Sequence, residues 1–277
     1  DPYLWVISND TGGSKLYKIS PTTGEVIESR RTCDLGIECS KQFGGITASD
    51  NHLILFGKDK NSIYEIRPGD WGLEQSYGQH SDQGVGSANI NGGRDIAWRH
   101  DKSQLISGRD NKLVQWTKFG NSYEKAADIT LTSSQVNSTS TVGGLAFKLD
   151  DGAAFKDDIV YIAYSEGTGV NAVGRVRKAG IPTDKTNLPR GVVYAGTDYT
   201  SDGSASNDYL YVLVDGLAGG DTVLKIQDPQ SSSTVVASFN LGTNEAEGMA
   251  FVSNQEGNLP GNLIVTWEDP DVGDHRF

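Results

Sequence analysis

The sequence predicts an all-β chain folded as a β-propeller, with six blades of about 49 residues each and five blades as the alternative. Three observations carry this. A short segment recurs whose first apolar residues, Ile46, Ile96, Leu145, Val192 and Met249, are spaced by 50, 49, 47 and 57 residues. A second kind of strand follows each recurrence, and a third and a fourth kind follow it in order in several of the repeats. No window shows sustained helical periodicity. A four-stranded sheet cannot bury both faces alone, but sheets stacked side by side bury each other's faces and leave only short edges. The chain is therefore expected to be one domain over residues 1–277, with repeats starting near 1, 44, 93, 142, 190 and 245.

The first kind of strand reads Gly44-Gly45-Ile46-Thr47-Ala48, Arg94-Asp95-Ile96-Ala97-Trp98, Gly143-Gly144-Leu145-Ala146-Phe147, Arg190-Gly191-Val192-Val193-Tyr194 and Glu247-Gly248-Met249-Ala250-Phe251. Small residues at its start suit strands that crowd a central axis. The second kind covers 52–56, 104–107, 159–164, 209–214 and 262–267, and the stretch 3–8 belongs with it. A third kind bears an apolar-x-polar-apolar stamp, as in Leu16-Tyr17-Lys18-Ile19, Ile63-Tyr64-Glu65-Ile66 and Val223-Leu224-Lys225-Ile226. A fourth is expected at 26–30, 123–129 and 235–240, is weaker near 73–77, and is hard to see after Arg177. Pro21-Thr22-Thr23-Gly24 and Pro68-Gly69-Asp70 mark turns between the third and fourth kinds.

Composition excludes more than it identifies. The 277 residues hold 24 Lys and Arg against 36 Asp and Glu, a net charge of −12, which argues against a nucleic-acid partner. With 36% hydrophobic and 22% charged residues the chain is too apolar for disorder. No stretch approaches the ~18–20 apolar residues of a membrane-spanning helix. Tyr3-Leu4-Trp5-Val6-Ile7-Ser8 already reads as a strand, with no basic and apolar leader before it. Cys33 and Cys39 enclose five residues. A short-loop disulfide between them would suit an exported protein, and two unrelated thiols a cytosolic one; the disulfide is the favoured reading. Asn9-Asp10-Thr11 and Asn137-Ser138-Thr139 are glycosylation triplets.

The run from Lys15 to Val26, with Glu247-Gly248-Met249-Ala250-Phe251, resembles blade motifs of exported bacterial propellers. More broadly, the chain resembles the six-bladed superfamily of NHL-repeat, SMP-30/gluconolactonase-like and phytase-like proteins. That resemblance implies fold far more than activity, because such folds host both enzymes and binding scaffolds. In the lactonases a Glu-Gly glutamate ligates a divalent cation. Only Glu247-Gly248 matches that pair here, and it stands in the last repeat, followed by Met249 rather than proline.

Three groups of residues could carry chemistry. Repeat alignment brings Gly44, Arg94, Gly143, Arg190 and Glu247 to one position, with Asp95 a step further on. Arg94, Asp95, Arg190 and Glu247 would then converge at the channel mouth, as a ligand site for an anion or cation or as a set of mutual ion pairs. Acidic loops come next: Asp150 to Asp158, Asp198 to Asp208, and Asp269, Asp271 and Asp274 near the last residue. Their oxygens suit Ca²⁺; the competing and favoured reading for each is a solvated acidic turn that needs no ligand. Finally, His80 in the loop 78–92 is the histidine to watch; His52, His100 and His275 read as solvated residues in turns or at strand starts. No nucleophile elbow, zinc-protease helix or phosphate loop occurs.

The reading is a secreted or cell-surface propeller that acts by binding, as an adhesion, carbohydrate-binding or extracellular assembly module without chemistry of its own. Its ligand would be a glycan, a surface or a protein held on the long loops. The alternative is a Ca²⁺-dependent hydrolase, lactonase-like or phosphoesterase-like, working through Glu247 and Asp95. Self-assembly into a larger structure is the third class.

Overall fold

A computed structural model describes residues 3–9, 13–49, 51–57, 63–77, 95–99, 104–109, 112–119, 122–130, 141–148, 159–166, 173–176, 179–180, 189–195, 209–214, 220–227, 234–242, 246–252, 262–269 and 274–276. The chain divides into two compact units, 1–130 and 131–277. Among the described residues each unit holds three antiparallel sheets, and each sheet is a run of consecutive strands in chain order.

In the first unit, β1 (Leu4–Ser8), β2 (Lys15–Ile19) and β3 (Val26–Arg31) form the first sheet. The second is β4 (Phe43–Ala48), β5 (Leu53–Gly57), β6 (Ile63–Ile66) and β7 (Leu73–Tyr77). The third is β8 (Ile96–Arg99), β9 (Gln104–Arg109), β10 (Lys112–Phe119) and β11 (Ser122–Thr130). The second unit repeats the plan. It holds β12 (Thr141–Lys148), β13 (Ile159–Glu166), β14 (Val173–Val176) and β15 (Ala179–Gly180), then β16 (Pro189–Ala195), β17 (Tyr209–Val214), β18 (Thr222–Gln227) and β19 (Thr234–Asn240), and finally β20 (Ala246–Val252), β21 (Asn262–Asp269) and β22 (Asp274–Arg276). The four expected strand kinds all appear in their expected order. The weak fourth strand at 73–77 is formed, and the elusive one after Arg177 is only two residues long.

Period-two alternation explains why the middle sheet of each unit is apolar on both faces. In β5 and β6, Leu53, Leu55, Tyr64 and Ile66 pack toward Leu16, Trp5 and Ile7 of the first sheet. The intervening Ile54, Phe56 and Ile63 pack toward Ile96, Trp98, Leu105, Val114, Trp116 and Tyr123 of the third. In the second unit Leu210, Val212 and Val214 face Ala146, while Leu213, with Tyr211 beside it, faces Ala246, Met249, Leu263 and Val265. Successive first strands are neighbours, β4 with β8, β12 with β16, and β16 with β20. Gly144 marks how close they run: a Cβ there would lie 2.8 Å from the Val192 nitrogen and 3.0 Å from the Gly191 Cα.

In the first unit a buried ion pair interrupts the apolar layer. Glu65 occupies the polar position of the third-strand stamp, yet it is only 2% exposed. Its carboxylate accepts bonds from Lys118 Nζ at 2.8 and 2.9 Å and from the Tyr123 hydroxyl at 2.7 Å, so it ties β6 to β10 and β11. Burial of a carboxylate is tolerated when its lone pairs are taken up in this way.

Outer strands share a second device. In β3, β7, β11 and β19 the ladder slips by one residue, leaving Ile27, Glu74, Ala126 and Val236 as extra residues opposite the last step of the stamp. These are β-bulges, and they turn Ile27 and Val236 outward, 52% and 44% exposed.

The turns before these outer strands are also alike, with one exchange. Around Pro21 the Ser20 carbonyl accepts the Gly24 N–H at 2.9 Å, and Gly24 has φ +73. Around Pro68 the Arg67 carbonyl accepts the Trp71 N–H at 3.0 Å, and Trp71 has φ +60. A tryptophan thus occupies a left-handed position where the preceding repeat uses glycine. Its ring is buried, lies edge-on to Trp5 with centroids 5.1 Å apart, and donates a hydrogen bond to Glu28.

Candidate functional site

The position aligned across repeats in the sequence is a structural singularity. In β4, β12, β16 and β20 the ladder with the second strand slips between Phe43 and Gly45, Val142 and Gly144, Pro189 and Gly191, and Ala246 and Gly248. The residues left over are Gly44, Gly143, Arg190 and Glu247. A bulge lifts one residue out of register and re-aims it, and bulges concentrate beside functional sites. Within the second unit, three of these bulges lie on the neighbouring strands β12, β16 and β20, so an arginine and a glutamate hold equivalent places on adjacent first strands.

The segment before the bulge is fixed by a side chain from the preceding sheet. Asn9, just after β1, accepts the Phe43 N–H at 2.7 Å and donates to the Phe43 carbonyl at 2.7 Å. Ser14 donates to the Lys41 carbonyl at 2.7 Å. In the second unit Asp221 takes this place. The carboxylate of Asp221, fully buried, accepts the Ala246 N–H at 2.6 Å. Ser14 and Asp221 correspond: their carbonyls accept the N–H groups of Thr32 and Leu241 at 2.9 and 2.8 Å. Sequence reasoning missed Asp221, although Gly219-Gly220-Asp221 ahead of a third-kind strand was the available signal. Asn9 heads a glycosylation triplet, but its amide nitrogen is engaged with Phe43.

Asp221→Ala is expected to destabilise the chain by about 2 kcal/mol, because the buried Ala246 N–H loses its acceptor. Asp221→Asn should retain most of the stability, since Asn9 does the same work with an amide. Urea denaturation of the three proteins checks this, and equal losses for both variants would count against the bond.

The other predicted residues fall as follows. Asp95 stands at the entry to β8; its carboxylate accepts the N–H of Ile96 at 2.8 Å, and its carbonyl accepts the Gly108 N–H at 3.1 Å. It lies beside the neighbouring strand, 3.2 Å from where a Gly45 Cβ would be. Arg94, His80, Asp271 and the acidic stretches 150–158 and 198–208 lie outside the described residues. For Arg190, Glu247, Asp269 and Asp274 the backbone is described. Asp269 and Asp274, read in the sequence as parts of one loop, are opposite residues of the β21–β22 hairpin. His52 bonds Glu74 at 2.6 Å. Cys33 and Cys39 are free thiols beside each other. Among the described residues no three His, Cys, Asp or Glu side chains gather as a cation site, and no helix is long and apolar enough to cross a membrane.

No protein-family model and no curated protein sequence matches the chain. Solved structures do. The Dos1 propeller shares 8% identity at a TM-score of 0.51 over 89% of this chain and 60% of its own. Hydrazine synthase of Kuenenia stuttgartiensis shares 11% at 0.52 over 91% and 67%. A functionally unknown protein from Desulfotomaculum acetoxidans DSM 771 shares 13% at 0.47 over 86% and 66%. The chain thus spans 60 to 67% of the length of these structures. Consecutive antiparallel sheets, neighbouring first strands and the likeness to the Dos1 propeller lead to one statement: this chain has the β-propeller fold.

Proposed function

We propose that the chain is a secreted or cell-surface binding module, without catalytic chemistry, that holds a glycan on the loop face next to the first-strand bulges. One observation supports this above the others. The bulge recurs in four sheets while the residue it presents changes from Gly44 and Gly143 to Arg190 and Glu247. A constant backbone device with variable chemistry suits a recognition surface on a rigid scaffold. A guanidinium and a carboxylate on adjacent strands supply donors and acceptors that match sugar hydroxyls, and the guanidinium adds a partner for acidic sugars.

The test is a glycan array followed by titration of the best ligand. Arg190→Ala and Glu247→Gln are each expected to weaken binding about tenfold, or ~1.4 kcal/mol, with the melting temperature unchanged. A blank array, or binding that neither variant alters, would remove this reading.

A further inference from the structure

The connector from β3 to β4 is held at both ends. It leaves β3 through a 3₁₀ turn over Thr32–Leu35, which closes on Gly36 at φ +87. The Thr32 N–H and hydroxyl both bond the Ser14 carbonyl, at 2.9 and 3.0 Å. At the far end Ser14 bonds the Lys41 carbonyl, and Asn9 holds both backbone groups of Phe43. Ile37 and Lys41 are each 3% exposed. The cysteines between these anchors are therefore not on a free loop.

Their side chains meet at Gly13. A methyl group at Gly13, whose φ is +110, would lie 3.6 Å from Cys33 Sγ and 3.9 Å from Cys39 Cβ. The thiols hydrogen-bond to each other; that bond, then partial desolvation, then the neighbouring Cys33 and Asp34 charges hold the Cys39 thiol above its ordinary range. Cys39 is exposed and Cys33 half-buried.

We infer that Cys33 and Cys39 are a dithiol that a low-molecular-weight disulfide of the glutathione disulfide class closes into an intramolecular bond across the connector. The Cys39 thiol gives its proton to water, and its thiolate attacks one sulfur of the reagent. The reagent's S–S bond breaks, and one glutathione leaves as thiolate and is protonated. Cys33 then loses its proton and attacks the Cys39 sulfur, expelling the second glutathione. Two protein thiols are oxidised and one reagent disulfide is reduced to two thiols, so atoms and electrons balance. The new bond clamps the segment that delivers the chain to the Gly44 bulge. It does not depend on the glycan reading.

The experiment incubates the reduced, full chain with glutathione disulfide, quenches with acid, and measures intact mass. The wild-type chain should lose two hydrogens and carry no adduct, at a rate that rises with pH beyond neutrality. Cys33→Ser should stop at one glutathione adduct on Cys39. The oxidised wild type should melt about 5 °C higher than the reduced form, since closing a short loop restricts the unfolded chain. A wild-type chain that retains one or two glutathione adducts overturns the inference. So does one that stays reduced while a reference dithiol peptide in the same tube oxidises.

Discussion

Replacing Glu65 with alanine is expected to lower the unfolding free energy by about 3 kcal/mol in urea denaturation. The carboxylate is almost fully buried, and it takes bonds from Lys118 and Tyr123 across the gap between two sheets. Its removal leaves an ammonium and a hydroxyl facing an apolar layer. The Lys118 side chain is 29% exposed and can turn partly to water, which keeps the loss at the lower end for a broken buried pair. A Glu65→Ala, Lys118→Met double variant removes both charges and should recover about 1 kcal/mol or more over the single variant. Equal stability of the single and double variants would mean that the uncompensated charge is not the cause.

Trp71 should respond to substitution in the reverse of the usual order, with alanine more damaging than glycine. Trp71→Ala is expected to cost about 4 kcal/mol, the loss of a buried indole. Trp71→Gly forfeits the same contacts with Trp5 and Glu28, but it releases the left-handed strain that alanine at φ +60 retains. That strain is about 1 kcal/mol, so glycine should be the milder change by roughly that amount. Chemical denaturation of the two variants side by side decides it, and alanine proving the milder would show that the turn is not strained. The Glu28 contact adds a pH dependence. The bond from Trp71, then that from Arg30, holds the Glu28 carboxyl below its ordinary 4.5. The contribution is therefore complete above pH 4.5 and disappears as the pH falls through the lowered value.

Strands were legible because their signal is local: alternation with period two, turn residues between, and a repeat near fifty. Even the two-residue β15 follows from its chain, since Arg177 and Lys178 precede it and no alternating apolar run follows. The site was legible only as an alignment. Gly44, Gly143, Arg190 and Glu247 could be put in one column, but a bulge is a property of two paired strands and has no signature in one of them. Glu65 escaped for a similar reason, because its stamp position is polar in every repeat and its burial depends on Lys118, 53 residues away. Trp71 ran against a sound local rule, that a left-handed turn position belongs to glycine; packing against Trp5 outweighs it. Asp221 looks like any turn acid until its partner, Ala246, is found 25 residues on.

The bulges of the outer strands bear on how the protein behaves at high concentration. A straight outer strand offers an unbroken row of amide and carbonyl groups on which a strand from another molecule can crystallise. Here the row is broken once in each of β3, β7, β11 and β19, at Ile27, Glu74, Ala126 and Val236. An incoming strand would meet a kink and a missing bond within a run of five to nine residues. The most apolar of these edges, β19, carries its kink at Val236, in the middle of an uncharged stretch suited to fibril growth. These four flanks thus resist the addition that their composition would otherwise invite.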